Sequence, residues 1–200
     1  MDNCRLLIIY YSVHGATERM ARLIARGIEN SGEAQAMLRT VPPITKSPSE
    51  QTNVPQQGPP YATLDELASC KGLVIGSPTH FGNMAAPMKH FWDQTSGLWL
   101  SSALAGKPAG VFTSTSSLHG GQETTLLSMM LPLFHHGMIL CGLPYSENAL
   151  HRTQSGGTPY GPSHVAGRKA DRPIDATESE LCIAFGKRIA GFACLLNNKS

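Results

Sequence analysis

"YYSVHGATERMA", residues 10–21, directly follows the apolar run Leu6-Leu7-Ile8-Ile9, and the reading of this junction decides the fold. Strand-type residues give way within a few positions to small and hydroxylated ones: Ser12, Gly15, Ala16 and Thr17. A helical pattern begins at once. Between residues 15 and 30, Met20, Leu23, Ile24, Gly27 and Ile28 recur at helical spacing, while Glu18, Arg19, Arg22, Arg26 and Glu29 fill the opposite face. A strand that turns straight into a helix leaves several N–H groups unpaired at the helix start, which makes an anion site. An ordinary strand-to-helix turn with Ser and Thr near its cap has the same local sequence, so the rest of the chain must separate the two.

The pattern repeats downstream. Residues 6–11 and 72–77 read as buried strands, 107–114 as another strand, 137–143 as a further short strand and 35–41 as an edge strand. Helical periodicity covers 64–68, 83–94, 122–136 and 177–196, and Pro132 should kink the third of these. Residues 42–60, rich in Pro, Ser, Gln and Thr, read as a surface excursion, and residues 144–173 as a long irregular segment. Alternating strands and helices imply parallel pairing with right-handed crossovers. The expected fold is therefore α/β: one domain over residues 1–200, a five-stranded doubly wound parallel sheet of order 2-1-3-4-5 between two helical layers. In that order a ligand sits off the carboxyl ends of the strands, beside the first.

Composition limits the partners. The 200 residues carry a net charge of +2 at pH 7, with 15% charged and 6% aromatic residues, which argues against a nucleic-acid-binding stripe. No apolar run approaches bilayer-spanning length, so membrane insertion is not expected. Five cysteines, odd in number and without a C-x-x-C pair, read as packing residues of a reduced, cytoplasmic protein.

The topology gathers three loops around one crevice. The first, residues 12–17, lacks the Gly-Lys-Ser/Thr ending of a nucleoside-triphosphate loop and the three spaced glycines of a dinucleotide fingerprint. With hydroxyls, free N–H groups and no side-chain cation, it suits a terminal phosphate monoester held by neutral donors. The second loop, "SPTHFGNM" at 77–84, offers His80, Phe81 and a close backbone approach at Gly82. The third, "STSSLHGGQE" at 114–123, crowds donors and acceptors into a short space. A phosphate site beside an aromatic loop and a donor-rich loop fits a flat heterocycle on a phosphorylated tail. Flavin mononucleotide, FMN, is such a molecule.

Several longer stretches carry a family likeness. S-x-x-G-x-T after the first strand looks like a flavodoxin-type phosphate loop. "GSPTHFGNMAAPMKHFWDQTSGLW" (76–99), "STSSLHGGQETT" (114–125), "HHGM" (135–138) and "GGTPYG" (156–161) together resemble the WrbA family of NAD(P)H:quinone oxidoreductases. The resemblance runs over nearly the whole chain. It implies a flavodoxin-like fold, FMN, two-electron transfer from NADH or NADPH to quinones, and a homotetramer.

Carried over by position, Ser12, Val13, His14, Gly15, Ala16 and Thr17 form the phosphate loop, and Thr79, His80 and Phe81 contact the isoalloxazine. Ser114, Thr115, Ser116, Ser117, Leu118, His119 and Gly120 wrap its pyrimidine side. His135 is a further flavin contact, and Trp99 walls the substrate ring. His14 stands where some members carry a tyrosine touching the nicotinamide nucleotide, and His80 where some carry arginine. Both departures bear on the choice between NADH and NADPH.

Plainer readings stand beside these. His135 and His136 point apart on a helix with no carboxylate or cysteine at ligand spacing, which disfavours a metal and leaves flavin contact or helix-end packing. Tryptophan also serves cores and subunit interfaces, so Trp99 has two readings. "SGGTPYG" is loop punctuation, a subunit contact or an active-site rim. Hydrolysis by a Ser–His–Asp set lacks its G-x-S-x-G elbow. The expected activity is quinone reduction by ping-pong kinetics, nicotinamide and quinone taking turns at one flavin face. The alternative is a flavodoxin-type electron carrier, against which the slightly basic charge argues, since such carriers usually dock through an acidic face.

Overall fold

The computed structural model describes residues 4–45, 54–55 and 57–197. Strand β1 (Cys4–Tyr10) sits between β2 (Ala34–Thr40) and β3 (Gly72–His80), and β3 pairs onward with β5 (Pro108–Thr115) and β5 with β6 (Ile139–Leu140). These five run parallel in the order β2-β1-β3-β5-β6, which is the expected 2-1-3-4-5 path. Two short strands bring the sheet to seven. β4 (Asn83–Met84) folds back antiparallel on β3, and β7 (Ser163–Val165) runs parallel to the end of β5.

Side chains alternate across the sheet and fill two cores. Leu6, Ile8, Val74 and Phe112 pack on one face against α1 (Ala16–Glu29), α6 (Ala149–Arg152) and α7 (Ala176–Asn197). Leu7, Ile9, Ile75 and Val111 pack on the other against α2 (Leu64–Ser69), α3 (Ala86–Asp93) and α5 (Gln122–His135). Each fully buried Leu, Ile or Phe contributes about 1.5–3 kcal/mol. Strands apolar on both faces read as continuous runs for this reason.

Three elements depart from the sequence reading, one through a local hairpin and two through the path of the returning chain. The helix expected at 83–94 begins at Ala86, because Asn83 and Met84 pair with His80 and Thr79 instead. The strand expected at 137–143 pairs only at Ile139 and Leu140. Beyond them the returning chain takes the sheet edge: Leu143 N–H donates to Pro159 O at 2.9 Å and Thr113 N–H to Pro162 O at 3.1 Å. β7 then lies beside Thr113–Thr115, so the segment expected to be irregular holds both β7 and α6. A further short helix, α4 (Ser96–Leu100), precedes β5, and α5 runs through Pro132 to His135 as one element. Of the expected surface excursion, residues 46–53 and 56 lie outside the described residues.

All five cysteines are free and buried. Burial pushes the Cys70 thiol up to about 11 and Cys4, which also touches Cys194, to about 12. Neutral packing thiols result.

Candidate active site

The carboxyl ends of β1, β3 and β5 open into a cleft of about 320 Å³. Ser12, Val13, His14, Ala16 and Thr17 line one side, Pro78, Thr79 and His80 another, and Ser114, Thr115 and Ser116 a third. The first loop turns into α1 at Gly15, whose φ of 81° a residue with a Cβ rarely adopts. Ser12 Oγ accepts from Glu18 N–H at 3.3 Å and Gly15 O from Arg19 N–H at 3.0 Å, which fixes the turn. Among the described residues none accepts from the N–H groups of residues 13–17. Five donors thus stay available at a helix N-terminus.

Hydroxyl chemistry holds the second loop. Ser77 Oγ accepts from Ala85 N–H at 2.8 Å, Thr113 Oγ1 donates to Ser77 O at 2.7 Å, and Thr125 Oγ1 donates to Thr79 Oγ1 at 3.1 Å. These bonds tie β3, β5 and α5 behind Thr79. At the tip, Phe81 and Gly82 both have positive φ, 54° and 76°, as the tight hairpin between β3 and β4 requires. Phe81 presents its ring fully to solvent and lines neither the cleft nor its neighbouring groove.

The third loop is closed internally. Thr115 Oγ1 donates to Ser117 O at 2.9 Å, Gly120 N–H to Ser117 O at 3.1 Å, and Gln122 Nε2 to Leu118 O at 2.8 Å. Gln122 also accepts from Ser163 Oγ, which joins the loop to β7. Ser114, Thr115 and Ser116 reach the cleft, whereas Ser117, Leu118, His119 and Gly120 lie beyond its lining.

His80 lines a second, larger space. This groove of about 990 Å³ runs between α3, α4 and α5 and is lined by Trp99 and His135 among others. The two therefore border the cleft's neighbour rather than the cleft. His136 plays a packing part: its Nε2 donates to Thr95 Oγ1 at 2.9 Å, and its ring leans on Trp92 with centroids 5.5 Å apart. That tautomer follows because Thr95 Oγ1 already donates to Trp92 O. Burial, and secondarily the neighbouring His135, hold the His136 pKa below its ordinary value.

Sequence reasoning missed the fourth wall of the cleft: Ala166, Gly167, Arg168 and Ala170 from the segment after β7. A Gly-containing turn was legible there. Its arrival beside residues 12–17 was not, because it depends on the pairing of β7 with β5.

The sequence pattern defining the NADPH-dependent FMN reductase family matches residues 4–146. The chain belongs to that family. Among its relatives, an NAD(P)H dehydrogenase (quinone) from Geobacter sulfurreducens is 42% identical over 201 residues, covering 96% of this chain and 98% of that protein. A WrbA-like flavodoxin from Agrobacterium tumefaciens shares the fold with a TM-score of 0.65 and 23% identity, over 95% of this chain and 97% of that one. Oxidised flavodoxin 1 from Bacillus cereus does so at 0.61 and 18%, over 94% and 97%. The flavodoxin-like fold, the enzyme class and the FMN cofactor expected from the sequence are thereby borne out. Among the described residues no helix is long and apolar enough to cross a membrane.

Proposed function

We propose that this member of the FMN reductase family passes two electrons from NADH or NADPH to a quinone. The observation that carries the reading is that His80 lines both an anion-type cleft and a large groove walled by Trp99. The donor chemistry fits FMN: free N–H groups and hydroxyls for a phosphate, then a narrow space between residues 78–80 and 114–116 for a flat ring. Bound there, FMN supplies the two-electron redox chemistry. The name of the Geobacter relative supports the quinone as acceptor.

In this reading Ser12, Val13, His14, Gly15, Ala16 and Thr17 hold the phosphate. Thr79, His80, Ser114, Thr115 and Ser116 border the ring, and residues 117–120, braced by Gln122, close its pyrimidine side. Trp99 and His135 wall the groove, where nicotinamide and quinone lie flat in turn; His14 meets the nicotinamide nucleotide. Apolar stacking and exclusion of water are the protein's contributions, together with orientation. Phe81 gains a partner only against the cofactor or a second subunit.

The protein is further a homotetramer. Leu127, Leu131 and Phe134 form an exposed apolar stripe on α5, and Trp99 and Leu100 are exposed on α4 nearby. Surface of this kind marks association. The enzymatic reading is tested by supplying a quinone and NADH or NADPH to the FMN-loaded protein. Turnover without any other reductase is the expected result; a requirement for one would make the protein a carrier.

A further inference from the structure

Residues 12–17 contain no lysine or arginine, so a phosphate on that loop alone would draw only on neutral donors and the helix dipole. The fold brings a cation to the cleft from the far end of the chain. We propose that Arg168 is the side-chain cation of the phosphate subsite, a recognition residue for the phosphate dianion of a flavin nucleotide. This rests on the FMN reading given above.

Arg168 lines the same cleft as Ser12, His14 and Thr17, and among the described residues no other lysine or arginine lines it. Among the described residues no carboxylate lies within ion-pair distance of Arg168, whereas Arg22, Arg39, Arg152 and Arg172 are each paired. An unpaired guanidinium beside a ring of free N–H groups offers a planar fork of donors to phosphate oxygens.

The turn carrying Arg168 is built rather than trailing. Ala170 N–H donates to Gly167 O at 3.0 Å, and Arg172 N–H to Ala166 O at 3.0 Å, closing the turn at its base. Ala166 N–H is bonded to Thr115 O of β5 at 2.7 Å. Ala170 is held at φ 56°, a conformation that persists in a residue with a Cβ only where surrounding contacts impose it.

Polar contacts, half-buried at Arg172 and fully buried at His164, frame the turn. Arg172 donates to Val165 O and to Asp175 Oδ2, both at 2.8 Å, and His164 Nδ1 meets Glu178 Oε2 at 2.8 Å. His164 and Glu178 are both fully buried. After the turn, Pro173 and Ile174 lie along Arg19, Leu23 and Arg26 of α1, so the segment passes beside the helix whose N-terminus forms the loop. Arg19 also approaches Gly15, but it does not line the cleft.

Riboflavin, which lacks the phosphate, separates this role from general effects. Apoprotein variants are titrated with FMN and with riboflavin. Arg168→Ala should weaken FMN binding about tenfold, the size of one charge-assisted hydrogen bond at a partly screened site. Riboflavin affinity should not change, and Arg168→Lys should recover part of the loss. Arg19→Ala should alter neither affinity. Unchanged FMN affinity in Arg168→Ala overturns the proposal, and so does an equal loss for both flavins. An equal loss in Arg19→Ala would mean a diffuse positive field and overturns it too. If Arg168 instead serves the 2′-phosphate of NADPH, the variant keeps its FMN affinity and raises only the KM for NADPH, which also overturns it. A wild-type protein that binds neither flavin defeats the FMN reading and this proposal with it.

Discussion

Glu178 shows how much one side chain can organise. Its Oε1 accepts from the N–H groups of Gly156 and Val165, and its Oε2 from Asp175 N–H and His164 Nδ1. Asp175 Oδ1 in return accepts from Glu178 N–H at 2.9 Å, so the pair is also a reciprocal cap on α7. Burial alone would raise the Glu178 pKa, but the bonds from His164, Asp175 and Val165 outweigh it and hold the carboxyl below its ordinary value of 4.5. A carboxylate depressed on folding stabilises the protein above the unfolded value and loses that contribution as pH falls through the folded one. Glu178→Gln should therefore cost about 3 kcal/mol or more at neutral pH, since it leaves buried donors poorly matched. The gap from wild type should narrow as pH drops below 4.5. Urea denaturation at several pH values reads this out, and a gap independent of pH would refute it. Of this cluster the sequence made only the helix start near residue 177 legible. The D-x-x-E spacing from Asp175 to Glu178 was a readable capping signal. His164 as its partner was not, because only the pairing of β7 with β5 delivers it.

Elements meet here through close backbone approach. α1 and α7 cross where a Cβ on Gly27 would stand 2.2 Å from Ile183 O and one on Gly186 would stand 2.1 Å from Ile24 O. Two effects oppose each other at Gly186. Alanine is favoured over glycine in a helix interior by about 1 kcal/mol, while forcing atoms into packed space costs about 1–3 kcal/mol. With rigid backbone as the neighbour, the clash should win, and Gly186→Ala should lower the melting temperature. Gly191, on the same helix with open space around it, should respond oppositely: Gly191→Ala stabilises by about 0.5–1 kcal/mol. Calorimetry on both variants decides; a rise in both would mean the helices do not cross this tightly. Helices α1 and α7 were legible from their periodicity, and their contact was not. Short elements escaped for a related reason: β4 and β7 have two and three residues, too few to show a period, and β7 exists only through a partner distant in sequence.

Seen as a whole, the molecule gathers three loops legible in the sequence and a fourth segment that was not. The loop at 12–17 and residues 79, 80 and 114–116 meet in the cleft, whereas Trp99 and His135 belong to the adjoining groove. Local composition marks which residues are chemically unusual; which of two neighbouring spaces they line depends on how α3, α4 and α5 pack. The apolar stripe of Leu127, Leu131 and Phe134 belongs to this scale. Light scattering should report a tetramer, and Phe134→Glu should shift it to smaller species by placing a charge in a dry contact. A flavin-loaded monomer at micromolar concentration would contradict the assembly. If one groove beside the cleft serves nicotinamide and quinone alternately, initial-velocity kinetics of the FMN-loaded protein with both substrates varied will read it out. Turnover with no added reductase and parallel double-reciprocal lines are expected; lines that intersect, or no turnover unless a reductase is supplied, would contradict a shared groove.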